Sequence, residues 1–429
     1  MLKKHRYSLG LFWLIAIFVL PLPFLQTVTQ GLPALYRSEL LAIDWGVIAY
    51  VWFLLAIYLG TRPKWLDRLV GLPSMYLLHG ILSIAAIGLA YLHKSGTQST
   101  GWIKTTGDWA FDLFLGLMLY SCLFMAGWLT SRIPPIARAK KWLERVFRHE
   151  ISVWLHRLNL VAVGLVFIHV QLISYITAIT PFMWWFDGAT AFVLVTYLWA
   201  KFGAPQTWRT GTLIVNQTVA DNVQELVVQL PQRRPMNLRA GDYVFMAVPS
   251  IAGLHEMHPF SLVNVPDDQQ QLRLAIRGDG DFTQKLSQVP LKTAVKIDGG
   301  YGRYAAFLAD QPADAPIIIL AGGIGVTPLL SVVADHPERT IHFFYTAHRE
   351  SDLLYPELLR AYQQRPTFTM TQQVGRLKAT AVWPTLPADW SRTSVILIAG
   401  PAKMMRYWRR ELRHQGVWPG QIYTEEFNW

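Results

Sequence analysis

The sequence has a single cysteine, Cys122, and only 16% of its 429 residues are charged. One cysteine excludes a disulfide framework, a cysteine-held iron–sulfur cluster and a haem attached through a C-x-x-C-H sequence. Low charge combined with 52% hydrophobic residues argues against an ordinary soluble protein. The net charge of +11 does not indicate nucleic acid, because the cations flank apolar segments and no basic run carries interleaved aromatics. We therefore expect contact with membrane lipid and no nucleic-acid partner.

The apolar excess lies in the first half of the chain, where six stretches are long enough to span a bilayer. They cover residues 9–29, 42–60, 73–93, 109–130, 151–174 and 181–200. Beyond about residue 205, short strand-like runs alternate with polar turns, which marks the main domain boundary. The pattern predicts an all-α bundle of six transmembrane helices followed by a separate half.

Lysine and arginine are distributed unevenly among the connections, and this predicts the orientation. The N-terminus and the second and fourth connections hold Lys3, Lys4, Arg6, Arg62, Lys64, Arg68, Arg132, Arg138, Lys140, Lys141, Arg145 and Arg148. The other three connections hold only Arg37, Lys94 and Lys104. Both termini and the whole second half should therefore be cytoplasmic. Residues 133–150, "IPPIARAKKWLERVFRHE", fit a basic amphipathic helix on the inner membrane surface, or an ordinary solvated loop.

Four histidines lie inside these apolar stretches, where polar groups are costly and usually functional. The third stretch carries His79 and His93, which are roughly 21 Å apart along a helix and nearly on one face. The fifth carries His156 and His169 at matching depths. The depths predict two imidazole pairs, His79 with His156 near the cytoplasm and His93 with His169 near the outside.

Each pair has the ligands for one b-type haem, with an imidazole on both sides of the iron. The thirteen residues from His156 to His169 rotate the second ring off the face of the first, so a bulge or different haem tilts would be needed. His149 is a rival inner ligand. The structural alternative is that these histidines only make hydrogen bonds between helices.

The second half carries a set of short motifs in a fixed order. "HPFSLVNVP" begins at His258, "LAIRGDGDFT" at Leu274 and "DGGYG" at Asp298. From Ala315, "APIIILAGGIGVTPLLSVVADH" reads as a buried strand, a glycine turn and a helix. Such a turn lets backbone amides approach a pyrophosphate at the N-terminus of the helix.

With "AGP" at Ala399, this order of motifs resembles the ferredoxin–NADP reductase superfamily. Joined to six helices with paired histidines, it resembles the ferric reductase and NADPH oxidase family over nearly the whole chain. The resemblance implies three domains: a transmembrane haem domain (1–205), an antiparallel β-barrel that binds FAD (206–311), and an α/β domain that binds NAD(P)H (312–429).

The resemblance also implies roles for individual residues. His258, Pro259, Phe260 and Ser261 match the segment along the flavin; Arg277, with Gly280 and Thr283 in the same motif, matches the flavin phosphate site. The nicotinamide-nucleotide loop matches Gly322, Gly323, Gly325, Thr327 and Pro328. Arg349 is a candidate for the 2′-phosphate of NADPH, with His348, Arg376 or simple surface charge as alternatives, and NADH remains possible.

Two positions need separate comment. Where the family usually has Cys-Gly-Pro beside the nicotinamide, this chain has Ala399, Gly400 and Pro401, and the missing thiol affects hydride transfer more than binding. The family places an aromatic ring over the flavin near the C-terminus, and Phe427 is the first candidate, with Trp429 as its rival.

These parts together predict electron transfer from NADPH through FAD and two b-type haems to an acceptor at the outer face. Oxygen, which would give superoxide, is small and needs no dedicated binding domain at the outer face. It is therefore the favoured acceptor. A ferric chelate or a periplasmic protein partner is the alternative. Short loops fit a bacterial inner membrane better than a eukaryotic cell surface.

Overall fold

A computed structural model of the chain describes residues 8–124, 149–232, 235–266 and 270–425. These residues form two compact units. The helical unit comprises the chain up to Leu66 together with Leu72–Gln206, and the sheet unit comprises Asp67–Gly71 and the chain from Thr207 onward.

The first part of the described chain is entirely helical. Its α-helices are α1 (Ser8–Leu14), α2 (Leu22–Gly31), α3 (Leu40–Gly60), α4 (Lys64–Val70), α5 (Leu72–Gly96), α6 (Gly101–Phe124), α7 (His149–Arg157), α8 (Asn159–Gln171), α9 (Ser174–Thr177), α10 (Thr180–Leu198) and α11 (Ala204–Thr207). A π-helical stretch, Ile15–Val19, follows α1, and a second, Trp199–Gly203, follows α10.

Within the described residues, four helical stretches are long and apolar enough to cross a membrane. They are Leu9–Gly31, Ala34–Gly60, Leu72–Gly96 and Ser152–Gln171. These correspond to the predicted first, second, third and fifth spans. The predicted fourth and sixth spans fall on α6 and α10, which are not among the four, so the count of six remains a prediction. Part of the fourth span, and the basic segment after it, lies outside the described residues.

The core of the helical unit is aromatic and aliphatic. Helix α3 is apolar around its whole circumference, as expected of a helix with protein or lipid on every side. Its Phe53 stacks on Phe114 of α6 with ring centroids 4.0 Å apart, and Tyr50 stacks on Phe186 of α10 at 4.6 Å. These contacts join α3 to two neighbouring helices.

The sheet unit begins with an antiparallel sheet of six strands in the order β4-β3-β6-β1-β2-β5. The strands are β1 (Arg209–Ala220), β2 (Val223–Gln229), β3 (Tyr243–Ala247), β4 (His258–Ser261), β5 (Gln271–Arg277) and β6 (Ala294–Tyr301). A single bridge between Leu262 and Leu274 links the two edges of this sheet. An antiparallel sheet is therefore present, and its closure into a barrel remains a prediction.

A parallel sheet of five strands follows, in the order β11-β10-β7-β8-β9. Its strands are β7 (Ile317–Gly322), β8 (Ile341–Ala347), β9 (Phe368–Val374), β10 (Val395–Ala399) and β11 (Ile422–Glu425). Strand β7 is buried along its whole length, as its run of isoleucines predicts for the middle of a parallel sheet.

Short helices accompany both sheets of this unit. They are α12 (Asp281–Lys285), α13 (Tyr304–Ala309), α14 (Val326–Asp335), α15 (Pro356–Gln363), α16 (Ala379–Val382), α17 (Trp390–Thr393) and α18 (Ala402–His414). The crossover helix α14 links β7 to β8, so that the carboxyl end of β7 meets the N-terminus of that helix.

The segment Asp67–Gly71 belongs to the sheet unit although it lies far from it in sequence. Arg68 donates two hydrogen bonds of 2.7 Å to the carboxylate of Asp242, and another of 2.8 Å to the carbonyl of Gly302. Asp67 accepts a hydrogen bond of 3.0 Å from the amide of Gly302. Because Asp242 is fully buried, this bidentate pair neutralises a carboxylate that water cannot reach.

Replacing Arg68 by alanine should lower the free energy of unfolding of the sheet unit by about 3–5 kcal/mol, because Asp242 would stay buried without its cation. Urea unfolding of the detergent-purified protein, followed by flavin fluorescence, measures this. The control is Arg360→Ala, since Arg360 forms an exposed pair with Glu357 and should change stability by less than about 0.5 kcal/mol. Equal effects of the two substitutions would contradict the structural role of Arg68.

Candidate functional site

The first histidine pair joins α5 to α7. The ring centroids of His79 and His156 are 5.8 Å apart, with an interplanar angle of 54°. The Nδ1 atom of His79 lies 2.8 Å from the carbonyl oxygen of Ala56 in α3. The Nδ1 atom of His156 lies 3.0 Å from the hydroxyl of Ser121 in α6. Each ring is therefore held by a helix that does not carry its partner.

The second pair repeats the arrangement between α5 and α8. The ring centroids of His93 and His169 are 6.2 Å apart, and the rings are perpendicular at 90°. The Nδ1 atom of His93 lies 2.9 Å from the carbonyl oxygen of Ala42, and that of His169 lies 2.8 Å from the carbonyl oxygen of Ile103. The two predicted pairs are thus brought together in space.

These contacts define which ring nitrogen is available. A carbonyl oxygen can only accept, so Nδ1 of His79, His93 and His169 must carry the proton and donate it. Nε2 of each ring then has a free lone pair, which is the form that binds a metal ion. Two imidazole nitrogens, each about 2 Å from one metal ion, put their ring centroids about 6 Å apart. Both pairs therefore fit ligation of a single iron between two imidazoles.

Two glycines make room for the outer rings. A Cβ atom on Gly46 would lie 2.7 Å from Nδ1 of His93, and one on Gly107 would lie 3.1 Å from Nδ1 of His169. A larger residue at Gly46 would displace the His93 ring. These glycines were not singled out from the sequence, although each lies four residues after the carbonyl that its histidine contacts.

The helix that carries His156 and His169 is interrupted between them. Helix α7 ends at Arg157 and α8 begins at Asn159, with Leu158 as a turn between the two. The amide of Leu158 bonds the carbonyl of Leu155, three residues back, and the side chain of Asn159 caps the carbonyl of His156 at 2.8 Å. One residue between the two histidines therefore departs from regular α-helical hydrogen bonding.

No group of three or more histidine, cysteine, aspartate or glutamate side chains that could hold a metal ion occurs among the described residues. Ligation between paired imidazoles does not need such a group. The rival ligand His149 is the first residue of α7, and its side chain lies outside the part of the chain that is described.

Charged side chains lie beside the second histidine pair. Lys94, the residue after His93, makes an ion pair of 2.9 Å with Asp108, which also bonds Lys104. Two cations therefore share one carboxylate, and the cluster keeps a net positive charge.

The strand β4 carries all four residues predicted to lie along the flavin: His258, Pro259, Phe260 and Ser261. It pairs with β3, and the ring of His258 lies 4.1 Å from that of Phe282. The predicted phosphate-binding residues lie on the chain that follows β5.

Arg277 ends strand β5, and its guanidinium bonds Asp279 at 2.6 Å. The amide of Gly280 donates to the hydroxyl of Thr283 at 2.9 Å, at the start of α12. Both contacts are exposed. Arg277, Gly280 and Thr283 thus lie close together along the chain, between the end of β5 and the start of α12.

The nucleotide loop lies between β7 and α14. Gly322 ends the strand, Gly323 takes a positive φ of 54°, and Gly325 directly precedes the helix that contains Thr327 and Pro328. A Cβ atom on Gly325 would lie 2.6 Å from the carbonyl carbon of Ala399. The glycine turn therefore packs directly on the end of β10.

The residues at the end of β10 are those predicted to lie beside the nicotinamide. Ala399 is fully buried and pairs with Ala321 of β7, and Gly400 follows with φ of 154°. A Cβ atom on Gly400 would lie 2.7 Å from Cε of Met404, and one on Gly322 would lie 2.5 Å from its sulfur. Met404, which the sequence did not mark, thus fills the space between the loops of β7 and β10.

The other predicted residues of this half lie apart from that loop or outside the description. Arg349 is exposed, and its guanidinium lies 3.4 Å from the carboxylate of Asp221. Its rivals His348 and Arg376 are also exposed. Phe427 and Trp429 lie outside the described residues.

A buried carboxyl group, not predicted from the sequence, ends the last strand. Glu425 pairs with Ala399 across β11 and β10 and is 3% exposed. Its Oε2 atom has no hydrogen-bond partner within the described residues. Burial, and then the nearby carboxylates of Asp67 and Asp242, raise the pKa of Glu425 well above its usual range.

Comparison with known proteins supports a flavin-binding role for the antiparallel sheet. Residues 211–316 match a family of FAD-binding domains. The reductase component DmpP of phenol 2-monooxygenase from Pseudomonas sp. (strain CF600) is 30% identical over 158 residues, which cover 35% of this chain and 43% of that protein. NADPH oxidase 3 from Rattus norvegicus is 28% identical over 137 residues, 29% of this chain and 23% of that protein.

A flavohemoglobin structure from Malassezia yamatoensis is similar over 94% of this chain and 98% of its own, with a TM-score of 0.49 and 17% identity. The chain spans less than half the length of the two curated relatives.

The match of residues 211–316 to FAD-binding domains, followed in the chain by a parallel sheet with a glycine turn, supports the class of NAD(P)H-dependent flavoprotein reductases. The match to an NADPH oxidase supports the predicted resemblance to the ferric reductase and NADPH oxidase family. The same matches support the predicted class of enzyme, an oxidoreductase. The haems, the acceptor and a bacterial source stay predictions.

Replacing Glu425 by glutamine should weaken the dependence of stability on pH. A carboxyl whose folded-state pKa is raised stabilises the fold below its ordinary pKa, and this contribution is lost as pH rises through the folded-state pKa. Between about pH 5 and about pH 9, the urea midpoint of the variant should therefore fall less than that of the wild type. If the urea midpoints of variant and wild type changed in parallel with pH, Glu425 would not be protonated in the folded protein. The same conclusion would follow if the exposed control Glu350→Gln altered the pH dependence equally.

Proposed function

We propose that the protein moves electrons from cytoplasmic NADPH through FAD and two b-type haems to molecular oxygen at the outer face, giving superoxide. The observation that supports this most directly is the pairing of four histidines whose Nδ1 atoms are engaged outside the pair. Hydrogen-bonded histidines of a purely structural kind would not need two rings facing each other about 6 Å apart in both pairs.

The flavin, when bound, takes two electrons as a hydride and passes them on singly, as a haem iron requires. The residues of the chain bind and orient. β4 and the turn after β5 would hold the flavin, and the Gly322–Gly325 turn would hold the pyrophosphate of the nucleotide. The side chains of His79 and His156 would hold one haem, and those of His93 and His169 would hold the other. The haems would supply single-electron transfer to the acceptor.

Reduction of a ferric chelate is a second candidate, and the charges at the outer pair favour it. Lys94 and Lys104 outnumber Asp108, so the cluster attracts anions, and most ferric chelates are anionic. Oxygen is neutral and would not sense these charges. A periplasmic protein partner is the third candidate. It would be favoured if neither oxygen nor a ferric chelate reoxidised the haems at a useful rate.

The first test is an absorbance spectrum of the detergent-purified protein with FAD, recorded without oxygen before and after NADPH. We expect b-type haem bands that reduce with NADPH and reoxidise in air, with two superoxide ions formed per NADPH consumed. Reoxidation by ferric chelate and not by air would replace oxygen with the chelate as acceptor. Absence of haem bands would refute the whole electron path.

His93→Ala should remove about half of the haem absorbance, because one of two irons loses an axial ligand, and it should leave flavin reduction by NADPH intact. Loss of both signals would contradict a serial path. Gly46→Ala offers a finer test, since its Cβ would displace the His93 ring and should shift the midpoint potential of one haem. Gly60→Ala, in the same helix with no atom within 4 Å of its Cβ, is the matched control and should shift neither potential.

Arg349→Ala should raise the KM for NADPH about tenfold or more and leave that for NADH nearly unchanged, if the guanidinium holds the 2′-phosphate. The two constants are measured from initial rates of flavin reduction in the same preparation. Asp221→Ala is the control, because it removes the partner of Arg349 and keeps the cation. Equal changes for both nucleotides would assign Arg349 to surface charge alone.

A further inference from the structure

A cleft of about 270 Å³ lies between the antiparallel sheet and the helices α14 and α15, lined by residues for which no role has been given above. One wall is formed by Val227 of β2 and Val263, and the other by Leu358 and Tyr362 of α15. Its polar lining residues are Asn264, Gln271 and Arg273. We name it the joint cleft.

Among the described residues that line the joint cleft, Arg273 is the one that carries a positive charge. The nearest carboxylate is that of Glu225, and its oxygen is 3.7 Å from Nε of Arg273, too far for a hydrogen bond. Both oxygens of Glu225 are already used, since one accepts from the hydroxyl of Tyr355 at 2.7 Å and the other from Gln217 at 2.9 Å. Within the described residues, the guanidinium of Arg273 therefore makes no hydrogen bond.

The side chain of Asn264 already has hydrogen-bond partners on both of its polar atoms. The side chain of Asn264 donates to the carbonyl of Gln271 at 2.9 Å and accepts from the amide of Arg273 at the same distance. Asn264 thus fixes the backbone beneath the guanidinium and leaves Arg273 as the group that can receive a ligand.

The apolar wall on α15 is held in place. Arg365 stacks over the ring of Tyr362 with its guanidinium carbon 4.3 Å from the ring centroid, and it donates to the carbonyl of Val333 at 3.1 Å. The ring of Tyr362 is therefore held between helix α15 and the guanidinium of Arg365. A rigid aromatic wall loses little freedom when a ligand packs against it.

We propose that the joint cleft binds a small organic anion, a carboxylate carried on an aromatic or branched apolar body. The carboxylate would take two parallel hydrogen bonds from the guanidinium of Arg273, and the body would pack between Val227, Val263 and Tyr362. The volume admits a molecule the size of a substituted benzene ring and excludes a dinucleotide. The ligand would contact the antiparallel sheet and helix α15 at once.

The probe for this proposal is 4-phenylbutyrate, titrated calorimetrically into the detergent-purified protein saturated with FAD. A ligand of this size should bind with a dissociation constant of about 1 mM. Its uncharged amide, of the same shape, should bind at least about tenfold more weakly because it cannot pair with Arg273. Equal binding of acid and amide would overturn the assignment of an anion, and no saturable binding would overturn the site.

Two variants locate the binding. Arg273→Gln should weaken it by about tenfold or more, and Ala334→Trp, at the exposed rim of the cleft, should block it by filling the space. Arg360→Gln, an exposed arginine on the same helix α15, is the matched control and should bind like the wild type. Flavin reduction by NADPH is measured for each variant to show that it is folded. Binding that survives both Arg273→Gln and Ala334→Trp would place the probe elsewhere and refute the proposal.

Discussion

The hydrogen bond from an imidazole Nδ1 to the backbone of a neighbouring helix is the interaction on which the candidate haem sites depend. It satisfies a polar group in an apolar surrounding, fixes the tautomer and aims Nε2 away from the helix that supplies the acceptor. In α3 and α5 this interaction also sets the register. His79 and His93 are fourteen residues apart, and so are their acceptors Ala56 and Ala42. The two antiparallel helices therefore keep the same register at both contacts.

The pairing of α6 with α7 and α8 does not follow this simple rule. The acceptors Ile103 and Ser121 are eighteen residues apart, whereas His169 and His156 are thirteen apart. Along this stretch the turn at Leu158 lies between the two histidines, and the acceptor changes from a backbone carbonyl to a serine hydroxyl.

The sequence predicted the pairing of the histidines because depth in a membrane follows directly from position along a helix. The sequence could not predict which carbonyl groups accept these hydrogen bonds. Every residue has a carbonyl, and the alanine side chains of Ala42 and Ala56 do not distinguish these two positions. Gly46 and Gly107 were the available signal, because a glycine opposite a histidine leaves room for a ring. The contact of "GGIGVTP" with Ala399 was predictable from the rule that parallel strands align their carboxyl ends, but the contribution of Met404 was not.

The contacts of Asp67 and Arg68 had no signal in the sequence. Arg68 was counted only among the cations that set the orientation, yet its partner Asp242 lies 174 residues away and is fully buried. Long-range pairs of this kind depend on the completed fold and leave no periodic pattern. The count of six spanning helices remains a prediction, because apolar composition alone does not say whether α6 and α10 cross a membrane.

The turn at Leu158 has a further consequence for the fifth helical stretch. It lies between His156 and His169, so each of these histidines is carried on a helix of its own, α7 or α8. The rings of the two pairs cross at different angles, 54° and 90°. The two pairs are therefore not equivalent, and a group held between the rings of either pair would meet its own orientation of ligands.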